Sequence, residues 1–241
     1  MMKKLILPVL MLMSFNIYAQ IWKSIKGDGN IKNETRQLSE FASLSARGPI
    51  DVEINNGTSN TIKVEADENL LPYIETKVEN GKLTIQSKNN INLKSNSKIV
   101  VYVSMNKIKA LQLSGSGNIT GSGNFTNEDE TDISVSGSGK IKLNSVSFNE
   151  LALNVSGSGN IDLKNGTAGN VKVAISGSGN IDCSGVSSEN VDVKISGSGN
   201  ARVNANKSIA ANISGSGNIF YIGKATNIST KVVGSGKVIK S

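Results

Sequence analysis

Between Gly81 and Asn127 the chain carries six lysines, Lys82, Lys88, Lys94, Lys98, Lys107 and Lys109, and no acid. A local excess of that kind draws in an anionic polymer, and an acidic polysaccharide is the ligand it suits. The competing reading is a solvated surface that also discourages sheet-edge aggregation. A second candidate is the pair Asp162 and Asp182. If the segments carrying them stack as strands, the carboxylates lie about 5 Å apart, where a cation such as calcium would relieve their repulsion. Lys142 and Arg202 flank them at the same spacing and offer compensation without a metal. The third candidate is the recurring Ser-Gly-Ser-Gly, which could cradle phosphate, bind calcium or turn a corner. Its spacing decides among these.

The pattern Ser-Gly-Ser-Gly-(Asn/Lys) begins at Ser114, Ser136, Ser156, Ser176, Ser196 and Ser214. A degenerate copy follows at Gly234-Ser235-Gly236-Lys237, with Val233 in the first position. The first glycines, Gly115, Gly137, Gly157, Gly177, Gly197, Gly215 and Gly234, are 22, 20, 20, 20, 18 and 19 residues apart. A fixed period near 20 marks a solenoid and outranks any single motif. The second glycines, Gly117, Gly139, Gly159, Gly179, Gly199, Gly217 and Gly236, keep the same phase. Glycine is required because a tight corner needs backbone angles that a Cβ forbids.

Around each corner the apolar residues alternate. Leu151, Leu153 and Val155 precede one corner, and Ile161 and Leu163 follow it; Val171, Val173 and Ile175 precede the next, and Ile181 and Cys183 follow. A period of two in β-branched residues predicts half-buried strands. The fold class is therefore all-β: a β-helix-like solenoid with coils of about 20 residues and Gly-Ser-Gly corners, each coil closed by a second corner such as Asn165-Gly166. Asn118, Asn160, Asn180, Asn200 and Asn218 form a column that predicts a side-chain ladder, interrupted by Lys140 and Lys237. Cys183, the only cysteine, excludes an intramolecular disulfide; it shares the column of Leu143, Leu163 and Val203 and reads as a small buried hydrophobe.

Residues 1–19 have Lys3 and Lys4, an apolar run and Ala19, which predicts a secretory signal peptide cleaved before Gln20. The run is too short for a membrane span, and no cysteine follows it for acylation. The expected product is exported and not membrane-spanning, in the periplasm, on the outer-membrane surface or secreted. The net charge of +7 becomes +5 without the two leader lysines. Residues 20–241 read as one elongated domain: irregular strands over 21–113, then regular repeats over 114–241. Strands are expected at 41–46, 50–54, 61–65, 82–86 and 99–103, with 87–98 as the most loop-like stretch and a helical turn within 67–74 ended by Pro72. "GDGNI" at 27–31 reads as an entry cap.

The block "GDGNIKNETRQLSEFASLSARGPIDVEINNG", the following "IKVEADENLLPYIETKVENGKLTI" and the "SGSGNI" repeats resemble the head GIN domain family, labelled as autotransporter adhesins. The resemblance runs over nearly the whole mature chain. It implies an exported β-helix-like domain with an adhesin-like or envelope-associated role, and supplies no catalytic residues.

Known chemistries fit poorly. There is no histidine, so no Ser-His-Asp triad and no imidazole base. No serine lies in Gly-x-Ser-x-Gly, and Gly139-Lys140 is followed by Ile141, not Ser or Thr. Polysaccharide lyases and glycosidases on β-helices need clustered carboxylates or converging bases, usually with stacking aromatics. Here the outward column Ser134, Asn154, Ala174, Lys194, Asn212 is mixed, and aromatics are 4% of the chain. That scarcity also argues against nucleic acid. The sequence reads as a non-enzymatic interaction protein without a cofactor, adhesin-like. The alternative is a binding module for anionic polysaccharide through Lys82–Lys109, with Lys88, Lys94, Lys98, Lys107 and Lys109 as its contacts. Its partner is an envelope or surface protein or an anionic glycan, and an oligomer is compatible with the terminal coil.

Overall fold

The computed structural model describes residues 23–241; the leader read at 1–19, Gln20 and Trp22 lie outside the described residues. The first half of the chain forms β1 (Lys23–Lys26), β2 (Ile31–Gln37), β3 (Ser43–Gly48), β4 (Ile50–Asn55), β5 (Thr61–Asp67), β6 (Ile74–Glu79), β7 (Lys82–Ser87), β8 (Ile91–Lys94), β9 (Ile99–Ser104) and β10 (Ala110–Gly115). The second half forms β11 (Asn118–Gly137), β12 (Lys140–Gly157), β13 (Asn160–Gly177), β14 (Asn180–Asp182), β15 (Val186–Gly197), β16 (Asn200–Gly215), β17 (Asn218–Ile222), β18 (Asn227–Gly234) and β19 (Lys237–Lys240). Strands as long as β12 bend round the solenoid, so one strand serves two sides of a coil.

The coils stack in parallel and in register, making a β-solenoid of about seven turns. Gly137 pairs with Gly157, Gly157 with Gly177 and Gly177 with Gly197. Ile141, Ile161, Ile181, Ala201 and Ile219 form one continuous inward column, each at most 1% exposed. The alternation has this result because a strand sends successive side chains to opposite faces. Cys183 takes its expected place, buried at 2% exposure with its amide on the Arg202 carbonyl at 2.9 Å.

In the regular half the corners approach so closely that only glycine fits. Gly177 has φ +118, and a Cβ there would stand 2.5 Å from the Gly157 carbonyl oxygen. That same oxygen accepts the amides of Ser178 and Gly179, both at 2.9 Å, which ties one corner to the next. The motif is a corner, not a phosphate cradle, because its amides are spent on the neighbouring coil.

The irregular portion contains coils of the same solenoid. β3 and β4 flank a corner at Gly48 that stacks on Gly115, and β7 and β9 stack on β3 and β4 in turn. The layers run β7/β9, then β3/β4, then β10/β11, which is not chain order. The loop-like reading of 87–98 needs correction: β8 lies within it and pairs in parallel with β1. β2 and β6, unmarked in the sequence reading, also form. Pro72 sits in the first turn of a short 3-10 helix at Leu71–Tyr73, where a missing amide costs no bond, and does not end it.

The amino-terminal end is closed. β2 pairs antiparallel with β5, β5 with β9, and β6 with β7. The "GDGN" segment clasps the buried Asp67: its carboxylate accepts the Gly29 amide at 2.6 Å and the Ser95 hydroxyl. A Cβ on Gly27 would strike that carboxylate. Among the described residues no helix is long and apolar enough to cross a membrane.

Candidate functional site

A groove of about 1090 Å³ runs along the solenoid axis, on the side that precedes each Gly-Ser-Gly corner. One ridge is the column Ser114, Ser136, Ser156, Ser176, Ser196 and Ser214. The other is Gln112, Ser134, Asn154, Ala174, Lys194 and Asn212, two residues earlier in each coil. Residues two apart project to the same face of a strand, so two outward columns leave a trough with backbone as its floor. Arg47 stands at one end, Lys231 and Val233 at the other. No lining residue is acidic, and Arg47, Lys194 and Lys231 are basic.

The six lysines do not converge. Lys88 and Lys94 are exposed on the excursion between β7 and β9. Lys94 lies opposite Lys26 in the register of β1 and β8. Lys98, just before β9, is 3.6 Å from the Asp51 carboxylate. Lys107 and Lys109 lie beyond the other end of β9, about 20 Å away for six residues of strand. They line a separate cavity of about 740 Å³ that also holds Glu128 and Asp129. The acid-free window in sequence is not acid-free in space.

In the aspartate column Asp162 is paired, though by Lys164 and Lys140 and not by Lys142, and Arg202 lies over the Phe220 ring, 5.2 Å from its centroid. Lys142, Asp162, Asp182 and Arg202 fall in one register. Asp162 lies 2.9 Å from the Lys164 ammonium and 3.5 Å from Lys140; its hydrogen bond and charge raise the Lys164 pKa. Asp182 accepts the Ser184 hydroxyl at 2.7 Å and its amide at 3.1 Å. Among the described residues no group of three His, Cys, Asp or Glu is disposed to hold a metal ion.

The asparagine column forms a ladder. Asn180 donates to Asn160 and Asn200 to Asn180, both at 3.0 Å, and Asn218 donates to Asn200 at 3.1 Å. Asn118, cut off by Lys140, donates instead to Asp51 at 2.9 Å. A second ladder escaped the sequence reading. Asn170 donates to Glu150, Asn190 to Asn170 at 2.8 Å, and the Ser208 hydroxyl to Asn190 at 2.7 Å. Its signal was the same spacing at 150, 170, 190 and 208.

Parallel coils in register, glycine corners and amide ladders, with outward columns forming a trough, define a β-solenoid. The family model described as "Putative auto-transporter adhesin, head GIN domain" matches residues 40–225, and the chain belongs to that family. Among solved structures it is similar to a "putative adhesin" from Bacteroides fragilis, with TM-score 0.84 and 21% identity, covering 90% of this chain and 100% of that one. It is also similar to a "putative adhesin" from Parabacteroides distasonis, with TM-score 0.78 and 27% identity over 91% of this chain and 100% of that one. A "Putative lipid binding protein" from the same organism gives TM-score 0.71 and 27% identity, with the same coverage. Among curated proteins there is no match.

Proposed function

We propose that this chain is an exported, non-catalytic, adhesin-like interaction module that holds an extended surface ligand along its axial groove. The groove carries the reading: its serine column places one hydroxyl at the same position of six successive coils, so a ligand lying along it meets a repeated polar contact. Many weak contacts of that kind add up when one chain engages them together. Family membership supports an adhesin-like role, and the leader expected at 1–19 supports export to the periplasm, the outer-membrane surface or the medium.

The test is binding to a panel of envelope polysaccharides and surface proteins at low and high salt. The variants are Ala174→Trp, which fills the middle of the groove, and a triple reversal of Lys88, Lys94 and Lys98 to Glu. Loss with Ala174→Trp alone supports the groove. Loss with the triple reversal alone moves the ligand to the excursion around β8 and restores the anionic-polysaccharide alternative there. Binding that survives both variants, or no binding at all, overturns the groove reading.

A further inference from the structure

The two ends of the solenoid are built differently. Antiparallel strands cover the amino-terminal end, whereas among the described residues β18 and β19 pair only with β16 and β17. The core columns therefore run out uncovered. Ile209 and Ile213 are 1% and 3% exposed, but Ile228 and Val232, next in the same columns, are 45% and 40% exposed. Among the described residues the exposed large hydrophobics are Ile31, Ile228, Val232, Val233 and Ile239, and all but Ile31 belong to this last coil. An apolar strand edge with free amides and carbonyls is a template for pairing with another strand.

We infer that this end is an isologous interface with a second copy of the chain, β18 pairing antiparallel with β18 about a two-fold axis through Thr230. The end is complementary to itself. Ile228-Ser229-Thr230-Lys231-Val232 has the same order of apolar and polar positions read from either direction. On that axis Ile228 of each copy faces Val232 of the other, Ser229 faces Lys231, and Thr230 faces Thr230. Apolar side chains thus cover the open core and no two lysines of β18 stand opposite each other. β19 does not suit the axis: about its own centre Lys237 would oppose Lys240. The other end carries the antiparallel strands β2 and β6, not a parallel coil, so a head-to-tail stack would not continue the coil register, and a two-fold pair of β18 strands closes at two copies.

The experiment is sedimentation equilibrium of the purified protein over a concentration series, with Val232→Lys and Thr230→Cys variants. The expected result is a reversible dimer whose dissociation constant rises by about tenfold or more in Val232→Lys. Thr230→Cys should form a covalent dimer on mild oxidation, since facing residues of antiparallel strands bring their Cβ atoms within disulfide reach. Cys183 is buried and does not compete, and Thr226→Cys, off the axis, should not cross-link. A protein that stays monomeric throughout overturns the proposal. So does a dimer indifferent to Val232→Lys and not captured by Thr230→Cys. If a different protein's strand, not a second copy, occupies this edge, the purified protein is monomeric and the proposal fails.

Discussion

Asn200 donates its side-chain amide to the Asn180 carbonyl at 3.0 Å, and Asn180 donates to Asn160 at the same distance. An amide can continue such a chain because it donates and accepts at once. A carboxylate can only accept. Asn180→Ala removes two bonds in a half-buried ladder and should cost about 2 kcal/mol at about 1 kcal/mol per net bond. Asn180→Asp should cost at least as much at neutral pH, because it sets an acceptor against Asn160 Oδ1, and should recover part of the loss once protonated. Chemical denaturation at two pH values measures both.

Gly177 and Gly48 occupy equivalent corners with different surroundings. Gly48 has φ +85 and, among the described residues, no atom within 4 Å of where a Cβ would stand, whereas a Cβ on Gly177 meets the Gly157 carbonyl. Gly48→Asn should therefore cost only backbone strain, about 1 kcal/mol, since Asn tolerates positive φ. Gly177→Ala adds a backbone clash and should lower the melting temperature markedly more. Equal losses in the two variants would show that strain, not the close approach of coils, selects glycine.

Burial, aided by the Asp182 charge, pushes the Cys183 thiol up to about 12. A thiol reagent should leave it untouched in the folded protein and modify it fully in denaturant. The linkage sign follows from proton counts. Between pH 9 and 12 the unfolded chain releases the thiol proton while the folded chain keeps it, so stability falls as pH rises through that window. Cys183→Val, which cannot titrate, should show a shallower fall there.

Asp132 lies in a half-buried place where desolvation raises its pKa, with Glu130 adding repulsion and a Ser134 hydrogen bond opposing. Its folded form holds a proton more firmly than its unfolded form, so the group favours folding at low pH and loses that favour as pH rises past its folded pKa. Asp132→Asn should stabilise the protein near neutrality and show no gain well below pH 4. Thermal melts across that range decide it.

The regular half was legible because identity and period agree there: Ser-Gly-Ser-Gly recurs near every 20 residues, and Ile161 and Ile181 repeat the alternation. The coil of β3 and β4 was not, for two reasons. Its corner reads Arg47-Gly48-Pro49, without the serines, and it stacks out of chain order. The lysines show another limit. Lys98 and Lys107 are nine apart in sequence, but β9 carries them to opposite ends of one side, and Glu128 and Asp129 come from the next coil. The second ladder hid because Glu150, Asn170, Asn190 and Ser208 share hydrogen-bonding roles but not residue type. The groove hid in the mixed column Ser134, Asn154, Ala174, Lys194, Asn212, since concavity comes from the backbone and small side chains leave it open.

The placement of β3 and β4 between layers that come later in the chain bears on the order in which the protein can form. In the regular half each coil meets its predecessor about 20 residues back, as Asn180 meets Asn160. The contact of Asn118 with Asp51 spans 67 residues. Closing the longer loop costs about 1 kcal/mol more in chain entropy. A chain emerging from its amino terminus holds β3 and β4 in hand before either neighbouring layer exists. They wait first for β7 and β9, then for β10 and β11, before their second edge is covered. The regular coils can afterwards add one by one in a single direction, each on the edge left by the coil before it.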